Sequence, residues 1–152
     1  RGEISMDYFV SIMGDMGTEI RKVLHPASEH FIMAKLEPAE VMHDFVQEVR
    51  NAKFATGIIS NVISEWLPWW ENFTPTHELF DVVLYSCDVG LRKPNASIYL
   101  SAAQQLNFAP EEIVYLDDFL PMAEAARKVG MKVIHVTDHA TAIAEARELL
   151  GL

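Results

Sequence analysis

Cysteine is almost absent: Cys87 stands alone in 152 residues, which excludes an intramolecular disulfide framework and suits a reducing compartment. Positive charge is scarce too, with twelve Lys and Arg against twenty-two Asp and Glu and no basic cluster, so at a net charge of −10 nucleic acid is not an expected partner. There is no apolar run long enough for a membrane span and no signal-peptide pattern, so a cytoplasmic protein without membrane attachment is expected. Internal repeats and low-complexity linkers are lacking as well. What is present is ample apolar material: half the residues are hydrophobic, enough for one ordinary domain with a real core. The sequence opens at Arg1 rather than Met, and that start is expected to be a boundary within a longer chain.

Two textures divide the sequence. Over residues 1–36 the apolar positions recur at helical spacing (Met6, Phe9, Val10, Met13), with Ser5 as a candidate N-cap and no β-rich run. From Glu37 to the end, helical and strand patterns alternate. Pro38 suits a first helical turn, and Val41, Met42, Phe45, Val46 and Val49 form one apolar stripe ending at Arg50. Strands are expected at Phe54–Ser60, Asp81–Ser86, Ile113–Asp117 and Lys132–Val136, and helices at Pro94–Leu106, Pro121–Val129 and Ala140–Leu150, with Gly130 as a stop. Such alternation predicts an α/β fold with a Rossmann-like, doubly wound parallel sheet.

Polar residues of complementary kinds end three of these strands. TGIISN finishes in Ser60 and Asn61, GLRKPNASIY carries Lys93 just before a helix, and VYLDDF finishes in Asp117 and Asp118. Ligands bind at such strand ends in open α/β sheets. A hydroxyl and an amide donate to phosphate oxygens, a lysine offsets their charge, and carboxylates hold Mg²⁺, so the set describes a phosphoryl site. The acid pair alone could instead cap the next helix, whose N-terminus favours negative charge. A phospho-receiver domain uses similar residues in another order, with the acid pair first and the lysine last.

The order Ser60, Lys93, Asp117–Asp118, in these local contexts, resembles the haloacid dehalogenase-like hydrolase superfamily, in particular its phosphatase branch with the epoxide-hydrolase N-terminal domain and sugar-phosphate phosphatases. The resemblance implies that Ser60 and Asn61 bind the transferring phosphoryl group and that Lys93 offsets charge on nucleophile and phosphate. It makes Asp118 the direct Mg²⁺ ligand, with Asp117 acting through water or Lys93. The acid pair favours phosphatases over the metal-free dehalogenase branch, and the substrate implied is a small phosphate ester. Residues 1–36 would be a partial helical cap and 37–152 the α/β core.

One element of that resemblance is missing. The family attacks phosphorus with the first Asp of an Asp-x-Asp segment at the end of an apolar strand, forming a phospho-aspartate. The nearest string, GDMGT at Gly14–Thr18, lacks the second Asp and lies in a helical pattern, so Asp15 is not the expected nucleophile. The chain is therefore expected to lack its central nucleophile strand and to be inactive alone. A non-catalytic binding or assembly module that keeps the fold is the alternative. The gap is expected to close, either by direct pairing of the strands ending at Ser60 and Asp117 or by strand addition from another chain, as in an exchanged homodimer. The remaining conspicuous residues (Trp66, Trp69, Trp70, Cys87 and the six histidines) are read as packing or surface residues.

Overall fold

The computed structural model describes residues 40–62, 64, 67 and 75–152. The expected cap at 1–36, Asp15 and the three tryptophans lie outside the described residues. In chain order the described elements are α1 (Glu40–Asn51), β1 (Gly57–Ser60), α2 (Thr76–Leu79), β2 (Val82–Tyr85), α3 (Ser86–Val89), α4 (Ala96–Leu106), a 3-10 turn (Pro110–Glu112), β3 (Val114–Asp117), α5 (Leu120–Lys128), β4 (Lys132–His135) and α6 (His139–Leu150).

Local chemistry sets the helix limits. In α1 the residues Phe45 and Val49, one turn apart, are buried, while Glu40 in the first turn and Arg50 in the last complement the helix dipole. The helix expected from Pro94 begins instead at Ala96, because Asn95 is its N-cap and its side-chain oxygen accepts from Ser97 N at 3.1 Å. Asp138 caps α6 in the same way, accepting from Thr141 N at 2.9 Å. After α5 the chain turns at Gly130 with φ +103°, where a Cβ would also meet Glu111 Oε1 at 3.1 Å.

The sheet is parallel and divided into halves. β1 pairs with β2 (Gly57 opposite Val82, Ser60 opposite Tyr85), and β3 pairs with β4 (Val114 opposite Lys132, Asp117 opposite His135). No described strand joins the halves, and of the two closures expected from the sequence the direct pairing of β1 with β3 is not made. Helices cover both faces. On one, α4 and α5 form a core around Ile98, Tyr99 and Ala126, joined by Leu84 of β2 and Met131. On the other, Phe45 and Val49 of α1 pack with Ile134 of β4 and Ala142, Ile143 and Ala146 of α6. Alternate residues of β3 and the residue just before it serve the two layers: Ile113 and Tyr115 face the first core, Val114 and Leu116 the second. Between the halves, enclosed by α1, α4 and α6, lies a cavity of about 660 Å³ lined by both β1 and β3.

Candidate active site

The C-terminal ends of β1 and β3 meet at one residue, Lys93. Its backbone is fastened to the end of β1, since Lys93 N donates to Asn61 Oδ1 at 2.9 Å and Asn61 Nδ2 donates to Lys93 O at 3.0 Å. Its ammonium is fastened to the end of β3, donating to Asp117 Oδ2 at 2.7 Å. The lysine thus spans the divided sheet at the edge where its strands end. Ser60 closes β1, half-buried beside this span, and Ser86 at the end of β2 secures the chain just beyond, accepting from Val62 N and donating to Val62 O.

Asp117 is the most constrained group of the site. Oδ2 accepts from Lys93 and from the Tyr115 hydroxyl at 2.6 Å, and Oδ1 accepts from Phe119 N at 2.9 Å. Burial pushes its carboxyl up, but the hydrogen bonds from Lys93, Tyr115 and the Phe119 N–H outweigh burial and hold it below the usual carboxylate range. Burial, reinforced by Asp117, pushes the Tyr115 phenol far above its ordinary range, so it remains a hydrogen-bond donor. Tyr115 also stacks edge-to-face on Tyr99 at 5.5 Å.

Asp118 differs sharply from its neighbour. It is exposed, and its backbone carbonyl lies 3.1 Å from His135 Nε2, at the end of β4. Among the described residues no group of three or more His, Cys, Asp or Glu gathers for a metal ion. Mg²⁺ commonly takes one or two protein carboxylates and fills its octahedron with water and phosphate oxygens, so Asp118 fits as a single ligand. Asp117 does not fit as a direct ligand, because three donors already occupy its oxygens.

Two residues take parts other than those expected. Asn61, expected on the phosphoryl group, spends both ends of its amide on the Lys93 peptide and so positions the lysine. His135, read as a bland residue, touches the acid pair through the Asp118 carbonyl. Tyr115 was not singled out, although a residue two before Asp117 in a strand shares its face and is the natural donor to it. Cys87 lies beyond β2 in α3, and burial together with Asp88 pushes its thiol up, opposite to what a nucleophile needs.

A doubly wound parallel fold that carries Ser60, Lys93 and the acid pair in this order to its strand ends fits a haloacid dehalogenase-like hydrolase. The sequence matches the haloacid dehalogenase-like hydrolase family over residues 3–136, and the chain belongs to that family. It is 31% identical to mouse (Mus musculus) acyl-CoA dehydrogenase family member 10 over 156 aligned residues, covering 99% of this chain and 14% of that protein. It is 29% identical to the sesquiterpene phosphatase astK of Aspergillus oryzae over 76% of this chain and 59% of that protein. The rat (Rattus norvegicus) bifunctional epoxide hydrolase 2 is 40% identical over 47% of this chain, which spans 13% of its length. The chain therefore spans only part of the length of these relatives. Among solved structures, a haloacid dehalogenase family enzyme of Bacteroides thetaiotaomicron in complex with magnesium and inorganic phosphate superposes with a TM-score of 0.71 at 18% identity, over 88% of this chain and 68% of that one. A haloacid dehalogenase phosphatase of Thermococcus onnurineus superposes with a TM-score of 0.60 at 24% identity, over 71% and 55%. Both share its fold.

Proposed function

We propose that this chain carries the phosphoryl- and Mg²⁺-binding part of a phosphatase for a small phosphate ester. One observation carries the reading: Lys93 is held at both ends, by Asn61 and by Asp117, at the edge where Ser60 and Asp118 also stand. In that arrangement the Ser60 hydroxyl donates to a phosphoryl oxygen and the Lys93 ammonium offsets its charge. Asp117, ionised and fully engaged, keeps the ammonium in place and moves no proton. Asp118 presents its carboxylate for Mg²⁺, which when bound polarises the phosphoryl oxygens. The cap, if residues 1–36 supply one, selects the ester.

Within the described residues the only carboxylate on Lys93 is Asp117, so a nucleophile is wanting there and the chain is expected to be inactive alone. The open cavity beside β1 and β3 favours a second reading, a binding or assembly module. Calorimetry with Mg²⁺ and inorganic phosphate separates the two. The phosphatase reading expects phosphate binding that requires Mg²⁺ and is lost in Asp118→Asn and in Lys93→Ala, together with p-nitrophenyl phosphate hydrolysis no faster than in Lys93→Ala. Folded protein without Mg²⁺-dependent phosphate binding would refute it.

A further inference from the structure

The peptide that joins Asp118 to Phe119 is held at both of its polar groups by side chains. The backbone ladder of β3 and β4 closes with Val136 N donating to Asp117 O at 3.0 Å, and Asp118 stands one residue past it, exposed. His135, the half-buried residue of β4 in register with Asp117, turns its ring to the Asp118 carbonyl, with Nε2 3.1 Å from the oxygen. A carbonyl oxygen only accepts, so Nε2 carries the hydrogen and the neutral ring is the Nε2–H tautomer. On the other side of the same peptide, Phe119 N donates to Asp117 Oδ1 at 2.9 Å. One grip comes from β4 and the other from β3.

We propose that His135 is a positioning residue for the cation site, its Nε2–H holding the Asp118 carbonyl and so fixing the backbone from which the Mg²⁺-binding carboxylate projects. The inference rests on the phosphatase reading, in which Asp118 is the ligand. An aspartate side chain has only two torsions, so a fixed peptide leaves its oxygens little room to wander. A loose peptide would have to be ordered as the ion binds, and affinity would fall by that cost. Mg²⁺ takes few protein ligands and demands near-ideal octahedral geometry, so the placement of this one carboxylate weighs heavily. A single hydrogen bond lets a peptide pivot about it, whereas bonds on opposite sides do not. The grip from Asp117 is itself steady, because its other oxygen holds Lys93 and the Tyr115 hydroxyl, and His135 supplies the opposing one. The imidazole is not a ligand in its own right, since Nε2 is turned to the carbonyl and Mg²⁺ prefers oxygen.

The test titrates Mg²⁺ into the full 152-residue chain with inorganic phosphate present and follows the amide signals of Asp118 and Phe119 by NMR. Two polar variants differ in reach: glutamine places an amide N–H near where Nε2 lies, and asparagine near where Nδ1 lies. His135→Gln is expected to keep the unsubstituted affinity to within about twofold, and His135→Asn to lose roughly tenfold. Nitrogen-15 NMR of the neutral imidazole in the unsubstituted protein is expected to find the hydrogen on Nε2, a measurement that needs no variant to fold. Equal affinity in all three proteins, equal loss in both variants, or a neutral Nδ1–H tautomer would overturn the proposal and leave the phosphatase reading standing. Absence of any Mg²⁺-dependent shift at Asp118 in the unsubstituted protein would overturn the phosphatase reading, and this inference with it.

Discussion

Outer and inner strands of this sheet are made of similar residues in dissimilar surroundings. In β2, Leu84 and Tyr85 are 1% and 3% exposed, and in β4 Ile134 is 2% exposed. In β1, next to β2, Ile58 and Ile59 are only half-buried, as are Val114, Tyr115 and Leu116 of β3. Central strands of a doubly wound fold are normally its most buried, whereas here Ile58, Ile59, Val114, Tyr115 and Leu116 line the cavity between the halves. The difference teaches that stability and chemistry are held by different strands. The outer strands and their helices hold the fold, and the inner strands carry Ser60, Asn61, Asp117 and Asp118 to the edge.

The largest expected effect breaks this comparison directly. Leu84→Ala removes a fully buried side chain from the core around α4 and is expected to cost about 2–5 kcal/mol. Ile59→Ala, on the half-buried strand beside it, is expected to cost roughly 1 kcal/mol or less. Urea unfolding followed by circular dichroism measures both, and equal losses would mean that the inner strand is as buried in solution as the outer.

Lys93→Met comes next. It leaves the Asp117 carboxylate, whose side chain is 5% exposed, without its cation. Loss of a charged hydrogen bond at a buried acceptor is expected to cost about 2–3 kcal/mol, tempered because Tyr115 and Phe119 N still donate to it. Tyr115→Phe is smaller, about 1 kcal/mol, for one hydrogen bond. Its sharper readout is the Asp117 carboxyl, which is expected to titrate higher without the phenol, as seen by carboxyl-carbon NMR. An unmoved titration would show that Lys93 and the Phe119 N–H hold it down without the phenol.

Much of this arrangement was legible in the residues. TGIISN, GLRKPNASIY and VYLDDF placed Ser60, Lys93 and the acid pair at strand ends because an apolar run ending in polar residues is how a buried parallel strand reaches its edge. The closure expected of the strands ending at Ser60 and Asp117 is not made by direct pairing among the described residues. What escaped were contacts between distant segments. Asn61 reads as a phosphate donor until the Lys93 peptide, 32 residues away, proves to take both ends of its amide. The strand expected from Phe54 starts only at Gly57, since Thr56 N donates to the Asp81 carboxylate at 2.8 Å instead of joining a ladder. Helical spacing gives the stripe of α1 but not that its last turn sends Arg50 to Asp81 at 3.2 Å.

That Thr56–Asp81–Arg50 contact gives the smallest expected effect and tests whether the β1–β2 half has its own polar fastening. Asp81 accepts from Thr56 N, which is the chief cause holding its carboxyl below the usual range, against a burial effect that raises it; the Thr56 hydroxyl and Arg50 lower it further. A carboxyl whose pKa is lower folded than unfolded binds more protons in the unfolded state, so stability rises with pH across that interval. Its contribution is complete above the unfolded value of about 3.9 and is lost as pH falls from there through the lowered folded value. Asp81→Asn is therefore expected to lower the urea midpoint at pH 7 and to narrow the gap from wild type as the pH is taken below about 4. Because the side chain is 48% exposed, solvent screens the pair and the shift is expected to be slight, smaller than that of Tyr115→Phe. A midpoint difference that stays constant from pH 7 to acid would mean that the asparagine perturbs Thr56 by shape alone, and that the fastening at the foot of β1 is not ionic.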